Sequence, residues 1–313
     1  MPHASPIALL LLAATASARP VPRAAPVAPP APQSATWRAR PRRLFFAFHG
    51  DVRPAACNDT AAYPTAIIES IFRREAELGV EFAVDLGDHM YVCNGSLEAA
   101  RTQMGLYVRA SQLLHAPTYM AMGNHECGVE YCAAGSTDAN FTAFLEALRP
   151  ISYEPWYRVN VPVRGGYAAI VMVADNAWDE RQAAWLDATL ANAERDAKYL
   201  IVVRHHPVDD LSLHNPEEWQ IIQRHRYALV LTGHSHHYRH DVEADPSERS
   251  VRLGCGGAPL DDGAQFFGFG TVEQQPDDRL LVRIYDSGSG NQEDAWSVAP
   301  REAPQQLLSG VSR

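Results

Sequence analysis

Five times along this chain a short apolar run ends in a small cluster of Asp, Asn or His. Leu44–Phe48 runs into His49-Gly50-Asp51-Val52-Arg53, and Phe82–Leu86 into Gly87-Asp88-His89-Met90-Tyr91. Thr118–Met122 leads to Gly123-Asn124-His125-Glu126, and Tyr199–Val203 to Arg204-His205-His206-Pro207. Tyr227–Leu231 precedes Gly233-His234-Ser235-His236. Runs this short, bounded by turn residues, read as buried strands. Helical spacing fills the intervals, with Ile67, Ile68, Ile71 and Phe72 in Thr65–Leu78, and Ala183, Leu186 and Leu190 in Asp179–Asp196. Strands alternating with helices imply an α/β fold with a largely parallel sheet. In such sheets ligands gather at the carboxyl ends of the strands, so all five clusters are expected to face one site.

Downstream the pattern changes to strands at Val251–Leu253, Gly268–Glu273 and Leu280–Tyr285, which suggests a second or mixed sheet. Residues 44–288 read as one catalytic domain, and 289–313 as a polar, irregular tail. At the other end, Pro6–Ala18 is a short apolar stretch closing on Ala16-Ser17-Ala18, the pattern of a cleaved signal peptide over residues 1–18. Residues 19–43, with seven Pro and six Arg, read as an extended linker. A secreted or periplasmic location follows.

Those six Arg conceal an acidic body. Of 27 basic and 37 acidic residues, the chain beyond residue 43 keeps 21 and 37, a net of -16. Phosphate-backbone affinity comes from Lys and Arg, so nucleic acid polymers are poor candidate partners. Beyond the leader no apolar run approaches the roughly 20 residues of a membrane helix. In an oxidising compartment the five cysteines are candidates for disulfides. Cys127–Cys132 as a local bridge and Cys57–Cys93 between neighbouring loops are favoured, with Cys255 free; free buried thiols are the alternative.

Carboxylates, an amide oxygen, imidazoles and a phenol form a mixed oxygen and nitrogen donor set suited to Fe, Zn or Mn. The glycines before Asp51, Asp88, Asn124 and His234 are read as the points where the backbone turns out of each strand. Together Gly87-Asp88, Gly123-Asn124-His125-Glu126, His205 and Gly233-His234-Ser235-His236 resemble, in order and spacing, the calcineurin-like metallophosphoesterase superfamily. Gly87-Asp88-x-x-Tyr91 and Gly233-His234-Ser235-His236-His237-Tyr238 are similar to its purple acid phosphatase branch. The first block departs from both patterns. Arg53 stands where most relatives carry a metal-binding His and where that branch usually carries Gly.

The resemblance implies a four-layer α/β/β/α sandwich with two mixed β-sheets. It implies two metal ions bridged by Asp88. Fe(III) would lie with Asp51, Tyr91 and His236, and Fe(II), Zn(II) or Mn(II) with Asn124, His205 and His234. His205 is preferred to His206 because it directly follows the strand. The implied reaction is hydrolysis of a small phosphate ester, foremost a phosphomonoester, by in-line attack of a metal-bridging hydroxide. His125 would serve the leaving group, with Glu126 orienting it. Arg53 is a candidate to grip a phosphate oxygen, its alternative being a structural ion pair. A phosphodiester substrate, or a non-catalytic module that binds metal or phosphate, are the competing functions. Arg204 and the Asp175-Asn176 pair are read as structural, and Gly254-Cys255-Gly256-Gly257 as a tight turn near the site.

Overall fold

In the computed structural model the described residues are 43–300, except 95, 129–131, 133–137, 208, 210–215 and 241–248. The expected leader and most of the linker, residues 1–42, lie outside them, as does the tail beyond residue 300.

Strands β1 (Phe45–His49), β2 (Ala83–Asp85) and β3 (Thr118–Met120) pair in parallel. On the far side of β1, β10 (Gly268–Gln274), β11 (Leu280–Asp286) and β12 (Gln292–Val298) continue the sheet antiparallel, giving the order β12-β11-β10-β1-β2-β3. The second sheet is built from β4 (Tyr157–Val163), β5 (Gly166–Met172), β6 (Tyr199–Val203), β7 (Leu229–Thr232), β8 (Tyr238–His240) and β9 (Ser250–Leu253). Its order is β4-β5-β6-β7-β9-β8, parallel from β5 to β9 and antiparallel at both edges. Two mixed sheets with helices are the α/β architecture the motifs implied.

Strand alternation decides what each face buries. Along β5 and β6, Ile170, Met172, Ile201 and Val203 belong to the large core shared with Phe46, Phe48, Val84 and Val282 of the first sheet. Their neighbours Ala169, Val171, Leu200 and Val202 turn the other way, onto a separate cluster with Leu186, Leu190, Trp219 and Ile222. Those last four sit on α4 (Glu180–Asp196) and α5 (Pro216–Gln223). Helices α1 (Thr65–Leu78), α2 (Leu97–Ser111) and α3 (Ala139–Leu148) carry Ile68, Phe72, Met104, Tyr107, Phe141 and Phe144 into the large core. Their ends follow local chemistry. Asp179 accepts from the Gln182 amide at 2.7 Å to start α4, and Gly79, at φ 72°, ends α1.

One expectation fails here. The stretch after Gly288 is not irregular throughout, because β12 pairs with β11 from Leu280↔Val298 to Tyr285↔Gln292. It is an edge strand whose residues are exposed or half-buried except Val298, so its sequence QEDAWSV carries little apolar signal.

Removing atoms from the layer between the sheets leaves a cavity. Ile201→Ala is expected to lower unfolding free energy by about 2–5 kcal/mol in urea titrations. Glu293→Ala on the exposed edge should stay within about 0.5 kcal/mol.

Candidate metal centre

The ligand candidates stand two to six residues past a strand end, and loops of both sheets meet there. Asp51, Asp88 and Asn124 follow β1, β2 and β3; His205 follows β6, and His234 and His236 follow β7. Three backbone conformations set the side-chain directions. Asp51, Asp88 and His234 have φ of 60°, 63° and 70°, the left-handed region that residues with a Cβ rarely adopt. Such strain clusters at functional sites. This corrects the reading that the preceding glycines make the turns. Gly50, Gly123 and Gly233 are not at positive φ; what they supply is closeness. A Cβ on Gly233 would stand 2.6 Å from Asp51 Oδ2. Gly87 does both, at φ 103° with Gly123 N only 2.7 Å from where its Cβ would be.

Hydrogen bonds lock the loops across the sheets. The His234 amide donates to Asp51 Oδ2 at 2.9 Å, and the Asp51 amide donates to the Gly87 carbonyl at 2.9 Å. His205 Nδ1 donates to the Leu86 carbonyl at 2.8 Å, which leaves Nε2 as the atom facing the site. That Nε2 lies 3.4 Å from Asp88 Oδ1 and 3.1 Å from Asn124 Oδ1. His234 Nδ1 approaches the same amide oxygen at 3.1 Å. Asp51, Asp88 and His205, all buried, place ligand atoms within 4.8 Å of one another. Asp51 Oδ1 is buried with no hydrogen bond, and His236 Nε2 stands 3.5 Å from it. Converging donors and an orphaned carboxylate oxygen fit a cation.

The electrostatics agree. Burial alone would raise Asp88, but His205 and His125 outweigh it and hold the carboxyl well below its ordinary range. Burial would lower His205, yet Asp88 lifts it to about 10, so a proton answers the carboxylate in the place a metal ion would take. Burial, with His205 and His206 nearby, depresses His234 to about 3, which keeps its imidazole neutral, the form a metal would require.

The other candidates gather at the rim. His125 donates its amide to Asp88 Oδ1 at 2.9 Å, and its ring meets Tyr91 edge-on at 4.4 Å. Arg53 places its guanidinium 4.9 Å over the Tyr91 ring, with Nη2 3.3 Å from His236 Nε2 and Nε 3.7 Å from Asp88 Oδ2. The expected bridges Cys57–Cys93 and Cys127–Cys132 are both formed, and Cys255 is free and buried. The Gly254–Gly257 turn does border the site, with the Gly256 amide bonded to the Gly50 carbonyl at 2.8 Å.

Glu126 has a different role from the one expected. Its carboxylate does not orient His125; it accepts from the amides of Gly123, Asp88 and His89 at 2.6, 3.0 and 2.7 Å. It thereby ties the second and third loops together. Beneath it His89 spans Glu126 (3.2 Å) and Asp85 (2.8 Å), and His49 spans Asp85 (3.4 Å) and Glu75 (2.7 Å), all fully buried. Burial alone would lower His89, but the two carboxylates lift it to about 10. On the second sheet, Asp175 holds the His206 amide and ring at 2.9 and 2.8 Å and the buried Arg204 at 3.4 Å. Sequence reasoning missed the His49–Glu75–Asp85 arm, because nothing local marks an acid inside an apolar helix or strand as partnered.

Residues 47–238 match the family model described as calcineurin-like phosphoesterase. The chain belongs to that family. With its buried Asp/Asp/His group it is a metal-dependent phosphoesterase. None of the curated proteins matches it in sequence. Solved structures share the fold at low identity. GAP50, the anchor in the inner membrane complex of Plasmodium, matches with a TM-score of 0.61 and 15% identity, over 84% of this chain and 90% of that one. The purple acid phosphatase PPD1 of yellow lupin seeds matches at 0.59 and 15%, over 82% of this chain. This chain spans only about half, 54%, of the lupin protein. A dimetal phosphatase from Danio rerio matches at 0.57 and 13%, over 82% and 99%.

Glu126→Gln retains the shape but turns an amide NH2 toward backbone N–H donors that cannot accept. Each unsatisfied buried donor costs about 1–3 kcal/mol, so a loss of about 2–5 kcal/mol is expected in chemical denaturation. The exposed Glu146→Gln should leave the midpoint nearly unchanged.

Proposed function

We propose that this phosphoesterase hydrolyses small phosphomonoesters outside the cytoplasm. The observation that carries the reading is the convergence of Asp88, Asn124, His205 and His234 on one point, with His125 and Arg53 at its open side. Asp88 Oδ1, Asn124 Oδ1, His205 Nε2 and a His234 ring nitrogen would hold a divalent ion such as Fe(II), Zn(II) or Mn(II). Bound there, the ion supplies a water acidified to a pKa of roughly 7 and neutralises charge on the phosphoryl group.

The chain's own groups do the rest. His125 is the rim residue that would give a proton to the ester oxygen as the alcohol leaves; burial lowers its pKa, so the protonated form that can donate is favoured only at acidic pH. Arg53 has the planar fork that matches two phosphate oxygens. The acidic body favours a small ester over a polyanion. The two disulfides and the leader pattern support export.

The sequence-level allocation of Fe(III) to Asp51, Tyr91 and His236 fits less well. A phenol and two carboxylates suit a hard ion, but the Arg53 cation already lies against Tyr91, His236 and Asp88. That same contact favours, as a second reading, a non-catalytic binding module, and the Plasmodium neighbour is itself an anchor.

Metal-replete protein should cleave an aryl phosphate faster than the matching bis-aryl diester, and chelation should abolish turnover. His205→Ala should remove activity while the protein stays folded by circular dichroism. Arg53→Gln should lower kcat/KM about 10- to 100-fold, the worth of a charged hydrogen bond to phosphate. A folded, metal-loaded protein that cleaves neither ester would establish the binding-module reading instead. A faster diester reaction would reassign the substrate class.

A further inference from the structure

The Arg53 guanidinium lies against the half of the donor set, Asp88, Tyr91 and His236, where the superfamily resemblance places the first of two ions. Its side chain is 13% exposed. Three contacts fix it there. His236 Nδ1 donates to the Pro259 carbonyl at 2.7 Å, so the lone pair at Nε2 is the one that accepts from Arg53 Nη2 at 3.3 Å. That lone pair is also the one His236 would need to bind a metal. Asp88 divides its oxygens, Oδ1 toward His205 at 3.4 Å and Oδ2 toward Arg53 Nε at 3.7 Å. Tyr91 gives its ring face to the same cation. On its outer edge Nη1 donates to the Pro54 carbonyl at 3.2 Å. Arg53 thus meets three of the groups that would surround the first ion, each through a contact that a cation can make. An Arg remains protonated at any pH the enzyme meets.

We infer that Arg53 replaces one metal ion, so that the centre holds a single ion, on the Asp88, Asn124, His205 and His234 side, with a fixed guanidinium opposite it. This rests on the metal-centre reading above, but metal content reports on it independently of hydrolysis. A multivalent ion entering the Asp51, Tyr91 and His236 side would meet a like charge and lose the His236 lone pair. The fixed guanidinium keeps one positive charge beside Asp88 and retains N–H groups for a phosphoryl oxygen. Nη1 and Nη2 donate one N–H each to Pro54 and His236 and carry a second, while the buried Nε faces Asp88 Oδ2 at 3.7 Å.

Full-length protein would be stripped with a chelator, reloaded separately with Zn(II) and with iron in air, desalted and analysed by inductively coupled plasma mass spectrometry. Wild type should retain about one equivalent per chain and stay colourless with iron. Arg53→Gly should retain about two, and its iron form should gain a visible tyrosinate-to-iron band that Tyr91→Phe in the same background removes. Two equivalents in wild type, none in wild type, a band in wild type, or one equivalent in a folded Arg53→Gly would each overturn the inference. Should Arg53→Gly not fold, Arg53→His takes its place, with two equivalents again expected and one overturning. Wild-type protein that holds one ion but cleaves no ester would defeat the proposed activity and leave the one-ion centre standing.

Discussion

Two carboxylates, Asp51 and Asp88, are buried where loops from both sheets meet, and the surrounding structure answers that burial. An ionised group taken from water into protein costs several kcal/mol unless it is paired and hydrogen-bonded. Here Asp88 is met by His205, His125 and Arg53, and Asp51 by the His234 amide. The left-handed backbone at both aspartates aims the carboxylates inward, and glycines on facing loops make room for them. The cost is sustained because the same charges form the cation site. Fold and chemistry therefore share one constraint: the strands must end level, and the two sheets must face each other, for the charges to be neutralised at all.

Beneath that layer lies another. Three imidazoles and four carboxylates, from His49 and Glu75 through Asp85, His89 and Glu126 on one sheet to His206 and Asp175 on the other, support the ligand loops from below. Arg204, bracketed by Asp175 and by Glu218 at 3.0 Å, completes the second sheet's part. These groups are all fully buried. They hold backbone amides and ring orientations, and partners of this kind fix the tautomers and positions of the groups above them.

Much of this was legible in the chain itself, for stated reasons. The buried strands β1, β5, β6 and β7 read as apolar runs because both faces are covered. The ligand candidates were legible because each follows such a run at fixed spacing. Strand β12 was not, since an edge strand leaves most of its side chains exposed or half-buried and needs no apolar signal. Nor was the work of Glu126, whose neighbour His125 invited a local pairing while two of its three amide partners stand 37 and 38 residues away. Arg53 was visible only as a departure from a pattern. That it packs against Tyr91 and His236 depends on β1, β2 and β7 being brought to one edge.

The bridge between Cys57 and Cys93 adds a mechanical property to the rim. It joins the loop after β1, which carries Arg53, to the loop after β2, which carries Tyr91, and the Asn58 amide bonds to the Tyr91 carbonyl beside it at 2.9 Å. The two loops are stapled to each other, and the Tyr91 amide bonded to Gln103 of α2 and the Val92 carbonyl bonded to Asn140 of α3 tie them to the body of the domain. Cation and aromatic ring are therefore held against each other beside the carboxylates. Whatever ordering this wall needs has been settled during oxidative folding, so an arriving ligand meets a surface already set in place.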